Sequence, residues 1–198
     1  MSSTLQGSAT PTPRRIRWPD RGTLDRVTYV GRAAPRQRLA GSPFGNPYRL
    51  DVDGTRAEVV ERYRSWILTR PELLARLHEL RGRVLACWCG HDEACHADVL
   101  IELVDADETL AELLAAGVRP EIVEDRLRLH GAEKAGQELV ERARRHKAGI
   151  LSLLAAKRPP ATLDASAVWF DALDRLQAEI DVPPDVLAEL KAARVKFA

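Results

Sequence analysis

Residues 84–104, with the sequence VLACWCGHDEACHADVLIELV, decide how the chain is organised. The stretch contains all three cysteines of the chain. Its first residues form an apolar run typical of a buried strand, and its last residues place Val99, Leu100 and Leu103 on one helical face. The turn between the strand and the helix contains cysteine, histidine and carboxylate side chains. We therefore expect a functional centre in this turn.

Three interpretations of the turn are open on the sequence alone. In the first, zinc is bound by three cysteines and a histidine, which are Cys87, Cys89, Cys95 and His96, or His91 in its place. In the second, Cys95 is a nucleophile with His96 or His91 as its base, since a helix dipole should lower the pKa of Cys95. In the third, the cysteines are small buried hydrophobic residues. The C-x-C spacing and the neighbouring Cys95 and His96, which would point apart on a helix, count against zinc.

Residues 26–104 alternate between strands and helices, which predicts an α/β fold with a small, mostly parallel sheet and flanking helices. Arg26 to Gly31 is the first strand, a capping box at Thr55–Glu58 starts a helix, and Pro71 starts the next. Ligands bind beyond the carboxyl ends of strands in such sheets. The residues expected to bind a ligand there are Gly31, Arg32, Gly45, Asn46 and Asp98, with Arg32 holding an anion.

Composition limits the class of protein. The net charge is +1 and no apolar run reaches membrane-spanning length, so we expect no membrane partner. Three clustered cysteines argue against a disulfide scaffold and favour a reducing cytoplasm. Residues 1–50 contain nine arginines and two aspartates. This basic region fits contact with nucleic acid or a phosphorylated ligand, but a solvated arginine-rich tail is slightly favoured.

Several motifs in the first half follow one another in a specific order. They are Val30-Gly31-Arg32, Gly45-Asn46-Pro47, Gly54-Thr55-Arg56, Cys87-Trp88-Cys89 and Cys95-His96-Ala97-Asp98. Over about residues 27–104 this set resembles the bacterial and phage domain-of-unknown-function 4326 family. The resemblance implies a small α/β domain and no particular activity. The chain departs from the family in an Arg/Pro-rich insertion at residues 33–43.

The second half has a different pattern. Asp107 can cap a helix that ends at Gly117, two short strands flank a turn near Asp125, and a longer helix follows with a break near His146. Residues 109–154 resemble the TubC-type N-terminal docking domain of peptide-synthetase and polyketide assembly lines. One matching feature is the sequence Leu110-Ala-Glu-Leu-Leu114. The resemblance implies a homodimer or a bound segment of a protein partner. The loop 131–136 differs from the family's usual turn.

We therefore predict four parts: a disordered tail (1–25), an α/β domain (26–105), a docking-like helix-hairpin-helix domain (106–157) and a linker with a helical hairpin (158–198). The leading hypothesis is a cytoplasmic module that binds or processes a phosphorylated or nucleotide-type ligand by thiol chemistry. The alternative is a non-catalytic adaptor that zinc stabilises and the docking domain assembles. Whether the chain is an enzyme stays open at this point.

Overall fold

A parallel three-stranded sheet carries the first half of the chain. It consists of β1 (Arg14–Arg17), β2 (Val27–Tyr29) and β3 (Val84–Cys87), in the order β1-β3-β2. The computed structural model describes residues 14–22 and 24–157, so the predicted linker and helical hairpin of residues 158–198 lie outside it. The central strand β3 is buried along its whole length, which explains its unbroken apolar sequence. The predicted parallel α/β arrangement is confirmed.

Strand β1 corrects the expectation that residues 1–25 form a disordered tail. Arg14–Arg17 pairs with β3 in register, from Arg14 opposite Val84 to Arg17 opposite Cys87. An arginine-rich segment lacks the apolar pattern of a strand, but backbone pairing with an edge of the sheet does not require one. Residues 1–13 lie outside the described part of the chain.

Two helices connect β2 to β3, as predicted. Helix α1 (Arg56–Leu68) starts at a capping box in which the Glu58 carboxylate accepts hydrogen bonds from the Thr55 amide and hydroxyl. Helix α2 (Pro71–Leu74) is short and leads into a 3₁₀ turn. The buried residues of these two helices and of the 3₁₀ turn are Val59, Tyr63, Ile67, Leu73, Leu74, Leu77 and Leu80. All of them except Val59 belong to the hydrophobic core that includes Leu85 of β3.

Helix α3 (His96–Ala115) is one continuous helix of 20 residues. The sequence predicted two helices, with Asp107 capping the second. Asp107 instead forms an ion pair with Arg81 at 2.7 Å, and no glycine or proline interrupts the helix before Gly117. The helix therefore crosses the predicted domain boundary between residues 105 and 106 without a break.

The remaining elements pack onto α3. Strands β4 (Arg119–Val123) and β5 (Arg126–His130) form a hairpin whose turn residues, Glu124 and Asp125, both have positive φ angles. Helices α4 (Gln137–Arg145) and α5 (Lys147–Lys157) are separated at His146, as predicted.

The order of helix, hairpin and helices matches the prediction for residues 106–157, but nothing in it identifies a docking domain. The described chain up to Lys157 forms one compact unit, and α3 and α5 contribute to the same hydrophobic core as β3. None of the helices in this part of the chain has the length and apolarity that crossing a membrane requires.

Candidate metal centre and adjoining pocket

The sulfur atoms of Cys87, Cys89 and Cys95 lie within 4.8 Å of one another beyond the carboxyl end of β3; we call them the cysteine cluster. Cys87 is the last residue of β3, and the alternation of a strand directs Cys87 and Cys89 to the same side. Their sulfur atoms are 3.6 Å apart, while the intervening Trp88 is partly exposed on the other side. Cys95 joins them from the start of α3.

Cys95 and His96 do not point apart as the sequence suggested. Cys95 is the N-cap of α3 with an extended backbone (φ −140°, ψ 146°), so only His96 has helical geometry. The Cys95 sulfur and the His96 Nδ1 are consequently 3.6 Å apart. The cap is completed by the Ala97 amide, which donates to the Cys95 sulfur, and by Asp98, which accepts from the Cys95 amide.

The His96 ring is held in one tautomer. Its Nε2 lies 2.8 Å from the carbonyl oxygen of Val30, which can only accept, so Nε2 must carry a proton. Burial lowers the pKa of His96, which is 5 % exposed, and this favours a neutral ring with a lone pair on Nδ1. That lone pair faces the cluster, because Nδ1 is 3.6 Å from the Cys95 sulfur and 3.8 Å from the Cys87 sulfur.

Protons are unevenly shared among the three thiols. Hydrogen bonds from Cys87 and then Cys95 lower the pKa of Cys89, and the positive charge of Arg56 adds to the effect. The pKa of Cys95 is raised, because its thiol donates to the other two sulfurs and is buried. The helix dipole was expected to lower the pKa of Cys95, whereas the neighbouring sulfurs and burial raise it.

A pocket of about 340 Å³ adjoins the cysteine cluster. Its lining includes the cluster, His96, two arginines and three aromatic side chains, and it contains no aspartate or glutamate. The predicted residues Gly31, Arg32 and Asn46 are part of it. The structure therefore brings Arg32 and the three cysteines together in one pocket lining. A positively charged, partly aromatic pocket of this size suits a small anionic ligand.

Arg32 provides positive charge in the pocket that adjoins the cysteine cluster. Its Nη1 donates to the carbonyl oxygens of Tyr48 at 2.6 Å and Asn46 at 3.4 Å. Within the described residues no carboxylate forms an ion pair with Arg32. The guanidinium is thus held in position by neutral groups, and its charge is available to a ligand.

Asn46 mainly supports its own loop. Its Nδ2 donates to the Val59 carbonyl at 3.0 Å, and its Oδ1 accepts from the Tyr48 amide at 2.9 Å. Gly45 behind it approaches Gly31 so closely that a Cβ at Gly45 would lie 3.1 Å from the Gly31 oxygen. Gly31 and Gly45 therefore set the path of the backbone beside the pocket. Both polar atoms of the Asn46 amide are already used in hydrogen bonds to the backbone.

Three predicted site residues lie outside the pocket lining, and they are Gly45, His91 and Asp98. His91 is exposed, and its Nε2 lies 3.0 Å from the Asp20 carboxylate. Asp98 forms an ion pair with Arg15 at 2.8 Å in addition to its capping bond. The structure therefore does not bring His91 or Asp98 to the pocket with Arg32, although Asp98 supports the turn that holds Cys95.

Two arginines near the cluster were not predicted as site residues. Arg56 lines the pocket and donates to the Cys89 sulfur at 3.8 Å and to Glu93 at 3.0 Å. Arg15 donates to the carbonyl oxygens of Gly90 and His91, at 2.8 and 2.7 Å. The Gly54-Thr55-Arg56 motif could have indicated that Arg56 belongs to the site. Arg15 could not be predicted in this way, because it lies in the segment that was expected to be a disordered tail.

This geometry coincides with a match to a known family. Residues 15–106 match the family described as Domain of unknown function (DUF4326). The match begins twelve residues before the span of about 27–104 that the motifs suggested, so the DUF4326 segment (residues 15–106) includes most of β1. The comparisons give no support for the docking-domain resemblance of residues 109–154. Comparisons with curated proteins and with solved structures yield no match.

Arg15 should be required to hold the cysteine loop of the DUF4326 segment. Arg15→Gln removes the ion pair with Asp98 and the two loop contacts of a side chain that is only 13 % exposed. We expect a loss of about 1–2 kcal/mol in the free energy of unfolding, measured by urea denaturation. Arg14→Gln is the matched control on the same strand, because Arg14 is exposed. An equal loss in both variants would contradict this role for Arg15.

Proposed function

We propose that the DUF4326 segment binds one zinc ion through Cys87, Cys89, Cys95 and His96. Tetrahedral zinc, with bonds of about 2.3 Å to sulfur and about 2.0–2.1 Å to nitrogen, separates two sulfurs by about 3.8 Å and a sulfur from a nitrogen by about 3.5 Å. In the structure the sulfurs of Cys87 and Cys89 are 3.6 Å apart, and all three sulfurs lie within 4.8 Å of one another. The His96 Nδ1 is 3.6 Å from the Cys95 sulfur and 3.8 Å from the Cys87 sulfur. This agreement is the observation that carries the proposal.

The chemistry of the donors supports the same conclusion. Thiolates and imidazole are the ligands of structural zinc, and a zinc-binding histidine typically donates its other ring N–H to a carbonyl, as His96 does to Val30. Three thiolates and Zn²⁺ together carry one net negative charge. Arg56 beside the Cys89 sulfur would offset that charge. These thiols must stay reduced, so the proposed function belongs in a reducing compartment such as the cytoplasm.

The adjoining pocket extends the proposal to a ligand. A phosphorylated or nucleotide-type molecule fits it best, because Arg32 offers a positive charge and Tyr29, Tyr48 and Trp88 offer apolar surface. Cys95 is a poor candidate for a nucleophile, because its side chain is buried and, in the proposed site, its sulfur binds the metal. We therefore propose that the pocket binds this ligand and that Cys95 does not act as a covalent catalyst.

A second candidate function is that of a zinc-stabilised adaptor. Leu114, which belongs to the docking-like motif on α3, is 56 % exposed. The resemblance to docking domains would make this leucine part of a contact with a protein partner or a second copy of the chain. Light scattering at high protein concentration tests self-association, which a strictly monomeric protein would contradict.

Metal analysis and a phosphate titration test the main proposal together. Protein purified without chelator should contain about one zinc per chain. Inorganic phosphate should bind the zinc-loaded protein, and Arg32→Gln should weaken this binding at least about tenfold, since a charge-assisted contact is lost. Arg36→Gln is the control, because Arg36 is exposed and does not line the pocket. Protein without zinc, or equal phosphate affinity in both variants, would contradict the proposal.

A further inference from the structure

Trp88 connects the cysteine cluster to Arg32 through Tyr29. Trp88 lies between Cys87 and Cys89 in the chain, and its Nε1 donates to the Tyr29 hydroxyl at 3.0 Å. The Tyr29 hydroxyl in turn donates to the carbonyl oxygen of Arg32 at 2.6 Å. Two hydrogen bonds therefore join the segment that carries two sulfurs to the backbone of the pocket arginine.

The close approach of Tyr29 to this backbone depends on Gly31. A Cβ at Gly31 would lie 2.5 Å from the Tyr29 hydroxyl oxygen, so any larger residue would displace the ring. The ring also packs against Trp18 in an edge-to-face contact, with 5.0 Å between the ring centroids. Tyr29 is thus fixed between Trp88 and Arg32.

His96 provides a second connection. Its Nε2 donates to the carbonyl oxygen of Val30, two residues before Arg32, and the amide of Val30 is bonded to Ala86 of β3 at 2.9 Å. Trp88, which lies between two of the cysteines, and His96, which lies beside the cluster, therefore both contact the short segment 29–32. The pocket arginine is at the end of that segment.

We propose that Tyr29 and Trp88 are positioning residues that couple metal binding at the cluster to anion binding at Arg32. The inference rests on the proposed function and adds that the two ligands bind cooperatively. A bound metal restricts the Cys87-Trp88-Cys89 segment and His96, and their hydrogen bonds pass this restriction to the backbone of Arg32. An anion that binds Arg32 then loses less conformational entropy on binding.

Thermodynamic linkage makes the coupling reciprocal. If zinc raises the affinity for phosphate by some factor, phosphate raises the affinity for zinc by the same factor, and couplings of this kind are typically about 5- to 150-fold. We expect a factor of at least about five here, because the connections are few but direct. Inorganic phosphate and adenosine monophosphate are suitable probes for the anion.

The experiment compares phosphate affinity in the full chain, first loaded with one equivalent of zinc and freed of excess metal, then treated with chelator. Calorimetry gives the phosphate affinity, and chelator competition gives the zinc affinity with and without phosphate. Equal factors of at least about fivefold in the two directions support the coupling. Phosphate binding that is intact but independent of zinc would overturn the coupling and leave the proposed function standing. Absence of phosphate binding to zinc-loaded protein would overturn both.

Tyr29→Phe separates the hydrogen bonds from a general effect of metal on folding. In this variant zinc should raise the phosphate affinity by less than about twofold, with unchanged zinc content, because only the hydroxyl that bridges Trp88 and Arg32 is removed. Tyr63→Phe is the control and should keep the full zinc effect, since it removes a buried hydroxyl that donates to Phe44 outside the pocket. A zinc effect in Tyr29→Phe as large as in wild type would overturn the roles of Tyr29 and Trp88.

Discussion

Cys95→Ser is expected to remove stoichiometric zinc from the purified protein. The substitution deletes one of three thiolates in the cysteine cluster, and a serine hydroxyl is not deprotonated at neutral pH and is a poor zinc ligand. Zinc affinity should fall by more than about a hundredfold, since even partners of the ligands contribute about 10- to 100-fold. Metal analysis of protein purified without chelator measures this loss directly.

The same substitution should lower stability only where zinc is present. Zinc at about a thousand times its dissociation constant stabilises the native state by about 4 kcal/mol, and Cys95→Ser should lose most of this. Serine is a favourable N-cap, so the start of α3 should be preserved in the variant. In chelator, wild type and Cys95→Ser should therefore unfold within about 1 kcal/mol of each other.

Two outcomes would count against zinc binding by the cluster. Cys95→Ser protein that still contains one zinc per chain would show that the metal is bound elsewhere. An equal destabilisation of the variant with and without zinc would show that Cys95 contributes through packing. The thiol titre gives an independent check, because wild-type thiols should react slowly when zinc is bound and quickly after chelation.

Local patterns were sufficient to predict most of the elements around the site. The apolar run of β3, the capping box of α1 and the turn residues of the β4–β5 hairpin each depend on neighbouring residues, and each is confirmed. Arg32 and the cysteines were expected to lie close together because each follows the carboxyl end of a parallel strand, and these ends lie at the same edge of the sheet. These features require no knowledge of long-range contacts.

The features that the sequence did not predict depend on contacts between distant residues. Strand β1 is polar, and it pairs with a segment about 70 residues later in the chain. Asp107 had the sequence pattern of a cap, but it lies inside α3, where it forms an ion pair with Arg81. The convergence of Cys95 and His96 depends on an extended N-cap, which residue types alone do not determine.

Gly149→Ala is expected to destabilise the protein through the contact between α5 and α3. A Cβ at Gly149 would lie 2.7 Å from the Ala106 Cβ and 3.0 Å from the Glu102 carbonyl oxygen. Neither atom can move without shifting α3, so overpacking should cost about 1–3 kcal/mol. The higher helix propensity of alanine returns up to about 1 kcal/mol, so we expect a net loss of about 1–2 kcal/mol. Gly136→Ala is the control, because nothing lies within 4 Å of its Cβ position.

The variant also tests whether residues 106–157 fold independently of the DUF4326 segment. Three of the four tryptophans, Trp18, Trp66 and Trp88, lie in that segment, whereas circular dichroism reports on all helices. Because α3 runs through both parts and its buried side chains share one core, Gly149→Ala should shift the unfolding midpoints of fluorescence and circular dichroism by the same amount. A shift in circular dichroism with unchanged fluorescence would instead indicate two separately folding domains. In that case the predicted boundary at residues 105 and 106 would divide the chain despite the continuous helix.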